Sequence, residues 1–455
     1  MRIKRFPVVV ALGALALAAP AAHAAAPGWS TPHTATPVTT GTYATGPSGQ
    51  GVQLFANGGV PQRTAQLRAI RTDATQGTAV GVNAGGPGFD LFDLDVNDNA
   101  RLVATWTKDL ENATPVGVAA AIGSRTSLPR TATVFATGAL VTDLASAVAD
   151  NGTSVVAWIQ TPLGATTASA TTIVAATLRA GQAPILTNIV TRTGAGLDDL
   201  AVGFDDDDNA VITWNVTQNP NGGPGVIGVA RGTAPGTFSV AAETTVDPTQ
   251  QLLDLRTFVT GDGGLLLFWT NGGPGGSGAP LAVRYSQATA AGVFTAPRTL
   301  ISGASGGLPT YAANAAGRAV VIFPLTSGSG ASLRALLRTP AGTWGSARLL
   351  GPSGARRIRA VDAGVDERGR VVALWDDAGA SSGTPTRILA ARSSSSSNPL
   401  NTYNQVAQRS GDRRCSGSNL ALASTGDGLG WWSCTASSTG PATSPRLARL
   451  TAPGS

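Results

Sequence analysis

An acidic turn carries oxygen atoms at a spacing that suits a hard metal ion. It reads Asp205-Asp206-Asp207-Asp208-Asn209, and a second turn at 93–99 also alternates Asp and Asn. Because alternate turn oxygens can ligate Ca²⁺, we take Asp205, Asp207 and Asn209 as candidate metal ligands. Neither turn has the central Gly and the distant Glu of an EF-hand loop. The competing interpretation is a solvated turn whose side chains bond its own backbone. Apart from this calcium hypothesis, the sequence predicts no cofactor.

A second set of carboxylates recurs at one position of a repeated pattern. Asp143, Asp199 and Asp254 each precede a Trp by fifteen residues, and each is followed directly by Leu. Three carboxylates at equivalent positions of consecutive repeats could hold a cation or a polar ligand, so we treat them as candidate ligand-binding residues. Alternatively, each Asp only accepts hydrogen bonds from a preceding turn.

The other residue types that could do chemistry argue against the common catalytic sites. After the N-terminal leader, His33 is the one His of the chain, and a Ser-His-Asp or Cys-His triad would depend on it. No Gly-x-x-x-x-Gly-Lys-Ser/Thr loop is present. Glu occurs only as Glu111, Glu243 and Glu367, so acid–base chemistry would draw mainly on Asp. The sequence assigns no catalytic residue and leaves enzymatic activity as the less favoured interpretation.

Large aromatic residues mark the repeat that must position these carboxylates. In each copy an apolar strand leads to an Asp/Asn/Gly turn and then to an apolar strand that ends in the aromatic residue. Gly stands six residues before most of these anchors, where a hairpin turn needs positive φ. The anchors lie 51 to 57 residues apart and are Phe55, Trp106, Trp158, Trp214, Trp269, Phe323, Trp375 and Trp432. Such a period predicts a repeat architecture.

Each repeat holds four strand-like runs. In the third copy they are Asp143 to Ala149, Ser154 to Ile159, Thr172 to Leu178 and Pro184 to Val190. No window shows sustained helical periodicity. Four antiparallel strands per repeat of this length form the blade of a β-propeller. The sequence therefore predicts an all-β, eight-bladed β-propeller, with seven blades as the alternative because the copy at Phe55 is the weakest.

The two ends of the repeat array predict how the ring closes. Residues 27–31 resemble the outermost strand of a blade, and the last copy supplies three strands before the chain stops. We expect the N-terminal strand to complete the last blade, which would remove the open edges of the array. Cys415 and Cys434 are the only two Cys, and they fall opposite one another in the last hairpin. They are predicted to form a structural disulfide.

The first residues are typical of a secretory signal peptide. Arg2, Lys4 and Arg5 precede an apolar stretch of about a dozen residues, which is too short to span a bilayer. Small residues up to Ala24 fit a signal-peptidase site. We therefore predict a signal peptide over 1–24, a propeller over 25–455, no membrane span, and a secreted, extracellular protein.

The positive charge of the chain does not form a nucleic-acid site. The formal net charge of +6 falls to +3 once the three basic leader residues are removed. Apart from one group at Arg356, Arg357 and Arg359, the Arg residues are scattered, whereas a nucleic-acid binder concentrates basic residues in patches with interleaved aromatics. We predict no nucleic-acid partner.

On its Asp/Gly-turn-strand-Trp repeat, the chain resembles secreted bacterial β-propeller proteins of the sialidase-like kind. The resemblance covers nearly all the chain after the leader and implies the propeller fold. The sialidase Asp-box, Ser-x-Asp-x-Gly-x-Thr-Trp, is not reproduced in any copy, so no catalytic residue is carried over.

The predicted function follows from this fold and from the inventory. We expect a monomeric, non-catalytic binding or scaffold propeller whose partner is an extracellular polymer or protein. The alternative is a glycan-active propeller enzyme, either a hydrolase or a lyase. That alternative requires Asp or Glu, Arg and Tyr to converge on the channel mouth, and a mouth lined by Ala, Gly, Ser and Thr would count against it.

Overall fold

The computed structural model is a closed β-propeller. Within the described ranges, no helix is long and apolar enough to cross a membrane. The described residues are 28–36, 41–46, 49–58, 63–84, 88–110, 114–164, 169–194, 196–217, 223–241, 243–271, 281–304, 309–327, 330–350, 357–378, 386–393, 400, 403–406, 414–435 and 444–451.

The first half of the described chain contributes a short N-terminal strand and then four blades. The N-terminal strand is β1 (His33–Thr34). Blade 1 contains β2 (Gly41–Thr45), β3 (Gly51–Asn57), β4 (Thr64–Ile70) and β5 (Gln76–Gly81). Blade 2 contains β6 (Phe92–Val96), β7 (Arg101–Leu110), β8 (Thr114–Ser124) and β9 (Thr133–Ala136). Blade 3 contains β10 (Ala139–Val148), β11 (Ser154–Pro162), β12 (Ala170–Leu178) and β13 (Ile185–Thr193). Blade 4 contains β14 (Gly196–Phe204), β15 (Ala210–Thr217), β16 (Gly225–Ala234), β17 (Thr237–Val240) and β18 (Thr244–Asp247).

The second half completes the ring with four more blades. Blade 5 contains β19 (Leu253–Val259), β20 (Leu265–Asn271), β21 (Leu281–Ala288) and β22 (Arg298–Ala304). Blade 6 contains β23 (Thr310–Ala313), β24 (Ala319–Ser327), β25 (Gly330–Arg338) and β26 (Arg348–Leu349). Blade 7 contains β27 (Arg357–Val365), β28 (Val371–Ala378), β29 (Arg387–Arg392) and β30 (Tyr403–Gln405). Blade 8 contains β31 (Arg414–Leu422), β32 (Gly428–Thr435), β33 (Ser444–Leu450) and the N-terminal β1.

Every blade is an antiparallel meander, and eight blades are present, as the anchor spacing predicts. In blade 4 the outermost strand is split, because β17 and β18 both pair with β16. The first strand of each blade contacts the first strand of the next, from β2 round to β31 and back to β2. The eight first strands therefore surround a central channel.

The turn between the first and second strands has one backbone requirement in all eight blades. The residue six positions before each aromatic anchor has positive φ, and in six blades this residue is Gly, for example Gly152 with φ 84° and Gly369 with φ 75°. In blades 2 and 4 the position is occupied by Ala100 (φ 57°) and Asp208 (φ 59°). The left-handed conformation is thus a property of the repeat, and Gly adopts it without strain.

The aromatic anchors lie between neighbouring blades and are buried. Trp214 packs in a cluster with residues of blade 3, and Trp375 packs with residues of blade 6. The Trp158 ring stacks on Phe135 of blade 2 at a centroid separation of 5.5 Å. Since these rings fill the space between two sheets, the anchors set the distance from blade to blade.

Blade 8 closes the ring with strands from both ends of the described chain. His33 pairs with Leu447, and Trp29 forms an isolated bridge with Leu450. Cys415 and Cys434 are directly opposed on β31 and β32, are bonded, and have Cα atoms 4.1 Å apart. The predicted closure and the predicted disulfide are both confirmed.

Candidate functional site

The three aspartates singled out by the repeat lie near the start of the first strands of blades 3, 4 and 5. Each is next to a register irregularity: Val141/Asp143 in β10, Asp198/Ala201 in β14 and Leu253/Arg256 in β19. Asp199 and Asp254 both have φ 49°. A β-bulge re-aims side chains locally, so these irregularities set the directions of the three carboxylates at one end of the channel.

Two of these aspartates join neighbouring blades. The Asp143 carboxylate accepts the backbone N–H of Leu200 in blade 4 at 2.7 Å. The Asp199 carboxylate accepts the backbone N–H of Leu255 in blade 5 at 3.3 Å, and the side-chain amide of Asn215 also donates to it. These contacts run from one blade to the next, so both residues have a structural role whatever else they do.

Asp254 differs from the other two because it is exposed. The hydroxyl of Thr270, in the same blade, donates to its carboxylate at 3.4 Å, which is a weak contact. The side chain is exposed, as are those of Asp198 and Arg256. Of the carboxylates and the guanidinium at this end of the channel, these three side chains are therefore the most open to an entering ligand.

Three further residues complete the group, and the sequence pattern did not single them out. They are Asp198, Arg256 and Tyr311, which lie near the start of the first strands of blades 4, 5 and 6. Arg256 interacts electrostatically with Asp143, Asp199 and Tyr311. We call this set the channel mouth; its members are Asp143, Asp198, Asp199, Asp254, Arg256 and Tyr311.

Tyr311 presents a hydroxyl group that has no hydrogen-bond partner. Its ring stacks on Phe268 at a centroid separation of 5.1 Å, and its oxygen is buried without a partner among the described residues. Burial, reinforced by the Asp254 carboxylate, raises the pKa of the Tyr311 phenol. The hydroxyl therefore stays protonated and can donate a hydrogen bond. The sequence could have pointed to Arg256 and Tyr311 only through their side-chain types, because a charged and an aromatic residue both occur on predicted first strands.

Two carboxyl groups of the channel mouth, those of Asp143 and Asp199, hold their protons more tightly than an ordinary Asp. Burial, and then repulsion by Asp198, raises the pKa of Asp199 to about 6. Burial also raises the pKa of Asp143. A carboxyl group that keeps its proton close to neutral pH can act as a general acid, and a nearby ionised carboxylate can act as a base or nucleophile.

The candidate metal ligands Asp205, Asp207 and Asn209 lie in the turn between β14 and β15, at the opposite end of the channel. The Asp205 carboxylate accepts the backbone N–H groups of Asp207 at 3.1 Å and Asn209 at 2.8 Å, and also the Asn209 side-chain amide at 3.0 Å. Across the described ranges, no group of three or more His, Cys, Asp or Glu is arranged to hold a metal ion. Calcium binding at this turn stays a prediction.

This opposite end of the channel, which we call the turn end, carries carboxylates of its own. Asp98, Asp150, Asp206 and Glu367 line it with others around a cavity of about 470 Å³. Burial and mutual repulsion raise the pKa of Asp150 and of Glu367. The Ser424 hydroxyl donates to the Asp98 carboxylate at 2.6 Å, which links blade 8 to blade 2. Hydrogen bonds between the turns of different blades thus stabilise this end of the channel.

Comparison with known proteins gives similarity to solved structures only. No family model and no curated protein matches the chain. The polysaccharide lyase Uly1 is 9% identical with a TM-score of 0.46, over 79% of this chain and 90% of that one.

Two further solved structures show the same level of similarity. An α-L-arabinofuranosidase, Arb93A from Fusarium graminearum, is 10% identical with a TM-score of 0.38, over 68% and 92% of the two chains. The Hadza microbial sialidase Hz136 is 14% identical with a TM-score of 0.37, over 69% and 71%. At these identities no residue of this chain takes a role from those proteins, and the channel mouth must be argued from its own chemistry.

Proposed function

We propose that the protein is a glycan-active propeller that binds and hydrolyses an extracellular glycan at the channel mouth. One observation carries the proposal. On the first strands of four consecutive blades lie four carboxylates, an exposed guanidinium and a tyrosine hydroxyl without a hydrogen-bond partner among the described residues. This is the Asp, Arg and Tyr combination that the enzymatic interpretation of the sequence required, and it differs from a mouth of small neutral residues.

The proposed chemistry divides the work between two carboxyl groups. Asp199, with a pKa raised to about 6, donates the proton that the leaving oxygen of a glycosidic bond needs. Asp254 is exposed and serves as the base or nucleophile on the other side of the bond. Glycoside hydrolysis uses a pair of carboxyl groups, one as the acid and the other as the base or nucleophile.

Arg256 and Tyr311 bind and orient the sugar in this proposal. The guanidinium offers several N–H donors in a fixed plane for hydroxyl or ring oxygens. Binding gives the Tyr311 hydroxyl a hydrogen-bond partner, which it lacks among the described residues, and so removes an unsatisfied buried group. The raised pKa of the phenol disfavours a phenolate base, which supports hydrolysis over elimination by a tyrosine.

A second candidate function is non-catalytic binding of a polymer at the same mouth. The observation that favours it is the structural use of Asp143 and Asp199, whose carboxylates already accept backbone N–H groups of the next blade. If those contacts fully account for both residues, Asp198, Asp254 and Arg256 are left to form a binding surface alone. This candidate predicts bound glycan without turnover.

A reducing-end assay over neutral, amino and acidic polysaccharides tests the proposal. With a substrate that is turned over, Asp254→Asn should lower kcat by at least about 100-fold, the scale expected for acid–base catalysis, and Tyr311→Phe should lower it less. Asp150→Asn, at the turn end, is the matched control and should leave turnover unchanged. Glycan that binds and stays intact supports the non-catalytic candidate. Turnover that survives Asp254→Asn contradicts the assignment of the site.

A further inference from the structure

The exposed charge at the channel mouth is mainly acidic, although the whole chain is basic. The formal net charge of the chain is +6. At the channel mouth, however, two carboxylates, Asp198 and Asp254, are exposed together with one guanidinium, Arg256. The other two carboxylates, Asp143 and Asp199, are half-buried, and burial raises the pKa of each.

The buried aspartates of the described channel wall add little to this charge. Asp93 and Asp95 on β6 and Asp362 on β27 accept backbone N–H groups of the next blade. Burial raises the pKa of each and so favours the uncharged form. The charge that a ligand meets at the channel mouth is therefore set by the exposed Asp198, Asp254 and Arg256.

Aromatic stacking offers little alternative means of recognition. No Phe, Tyr or Trp whose side chain the structure describes is exposed. At the mouth itself, the Tyr311 ring is packed against Phe268. Sugar recognition there must rest on hydrogen bonds and charge.

We propose that the glycan handled at the channel mouth carries free amines, as a glucosamine polymer does. This inference rests on the proposed function and names its substrate class. Ammonium groups donate charge-assisted hydrogen bonds to the Asp198 and Asp254 carboxylates. Arg256 donates to neutral hydroxyl oxygens of the same chain, and the Tyr311 hydroxyl donates to another. A sugar carboxylate or sulfate would meet repulsion from the two exposed aspartates.

One feature of the sequence favours an anionic glycan instead, and the experiment below tests it. Strand β27 of blade 7 also starts at this end of the channel, and its first residues include Arg357 and Arg359. If these two residues dominate recognition, an anionic glycan would be preferred. Substituting them therefore provides the counterpart to substituting the two aspartates.

The test is calorimetric titration of the leaderless protein at low salt in a mildly acidic buffer. Three oligosaccharides of equal length are used: a glucosamine oligomer, its fully N-acetylated counterpart and an oligogalacturonide. We expect the glucosamine oligomer to bind at least about tenfold more tightly than the acetylated one, a difference of about 1.4 kcal/mol. The preference should disappear in an Asp198→Asn/Asp254→Asn variant and persist in Asp150→Asn, at the turn end.

Equal affinity for the amine and acetylated oligomers, or affinity for neither, overturns the inference. Tighter binding of the oligogalacturonide that is abolished by Arg357→Gln/Arg359→Gln also overturns it. A parallel reducing-end assay on each bound oligomer separates this inference from the proposed function. A cleaved galacturonide contradicts the amine preference alone, whereas a bound but uncleaved glucosamine oligomer contradicts hydrolysis alone.

Discussion

Aspartate has different roles at the channel mouth and at the seam between blades 7 and 8. At the seam between blades 7 and 8, Asp376 is fully buried, and its two oxygens accept the backbone N–H groups of Gly417 at 2.7 Å and Ser418 at 3.0 Å. At the mouth, Asp198 and Asp254 are exposed. An aspartate whose oxygens are consumed by the next blade holds the ring together, and one left at the surface remains open to a ligand.

Asp143 and Asp199 lie between these extremes. Each accepts one backbone N–H from the next blade, yet each remains part of the electrostatic group around Arg256. Position in the repeat therefore does not decide whether an aspartate is structural, since the decision depends on which atoms of the next blade reach its oxygens.

The largest loss of stability should come from replacing an aromatic anchor, since anchors are present in both regions. Trp269 in blade 5 is 0% exposed and Trp432 in blade 8 is 2% exposed. Replacing either by Ala should lower the free energy of unfolding by about 3–5 kcal/mol, measured by urea denaturation. Leu186→Ala, at a residue that is 56% exposed, is the control and should change it by less than about 0.5 kcal/mol. A small loss for Trp432→Ala would show that the seam depends on something other than its anchor.

The disulfide is the next test, and it acts on the seam alone. Cys415→Ser/Cys434→Ser opens a loop closed over a sequence separation of 19, which should cost about 3 kcal/mol of stability in the chain-entropy model. Wild-type protein denatured without reductant should show no reactive thiol. Two reactive thiols, or an unchanged urea midpoint in the double variant, would contradict the role given to this bond.

A matched pair of substitutions separates the structural from the exposed aspartates. Asp376→Asn removes one acceptor from a buried, charge-assisted pair of hydrogen bonds, so it should lower the free energy of unfolding by about 1.5–3 kcal/mol. Asp254→Asn, at an exposed side chain, should change it by less than about 0.5 kcal/mol. If the two losses measured by urea denaturation were equal, the distinction drawn between the two regions would be wrong.

A smaller effect should appear as a pH dependence common to both regions. Burial raises the pKa of Asp362 and, with repulsion from Asp198, that of Asp199 to about 6, whereas unfolded Asp titrates near 3.9. Because the folded state holds these protons more tightly, it gains stability at low pH and loses it as the pH rises from about 4 through 6. The Tm should therefore be higher near pH 5 than near pH 7, and Asp362→Asn should reduce that difference. A Tm that rises over this interval would contradict the assignment.

Much of the fold could be predicted because it depends on local rules repeated eight times. The anchor spacing gave the blade number, and the Gly before each anchor marked the turn. The same turn position at Ala100 and Asp208, which also have positive φ, has no such mark in the sequence. The break of the outermost strand of blade 4 into β17 and β18 likewise depends on pairing with β16 that no periodicity records.

The channel mouth could be predicted only in part. A fixed distance from the Trp anchors pointed to Asp143, Asp199 and Asp254, but not to their partners, because register irregularities decide which N–H groups reach them. Arg256 and Tyr311 follow no repeat, and they join the aspartates only once the ring has placed blades 3 to 6 side by side. The long loops at Gln160 to Thr171, Thr217 to Gly225 and Asn271 to Pro280, which the sequence favours as a contact surface, lie partly or almost wholly outside the described residues.

The most direct test of the central claim is a crystal structure of the protein with a bound oligosaccharide from the reducing-end screen. The account predicts sugar density at the channel mouth, with polar atoms within hydrogen-bond distance of Asp254 and Arg256 and of the Tyr311 hydroxyl. Sugar bound instead at the turn end beside Asp150 and Glu367, or on the outer strands, would contradict it.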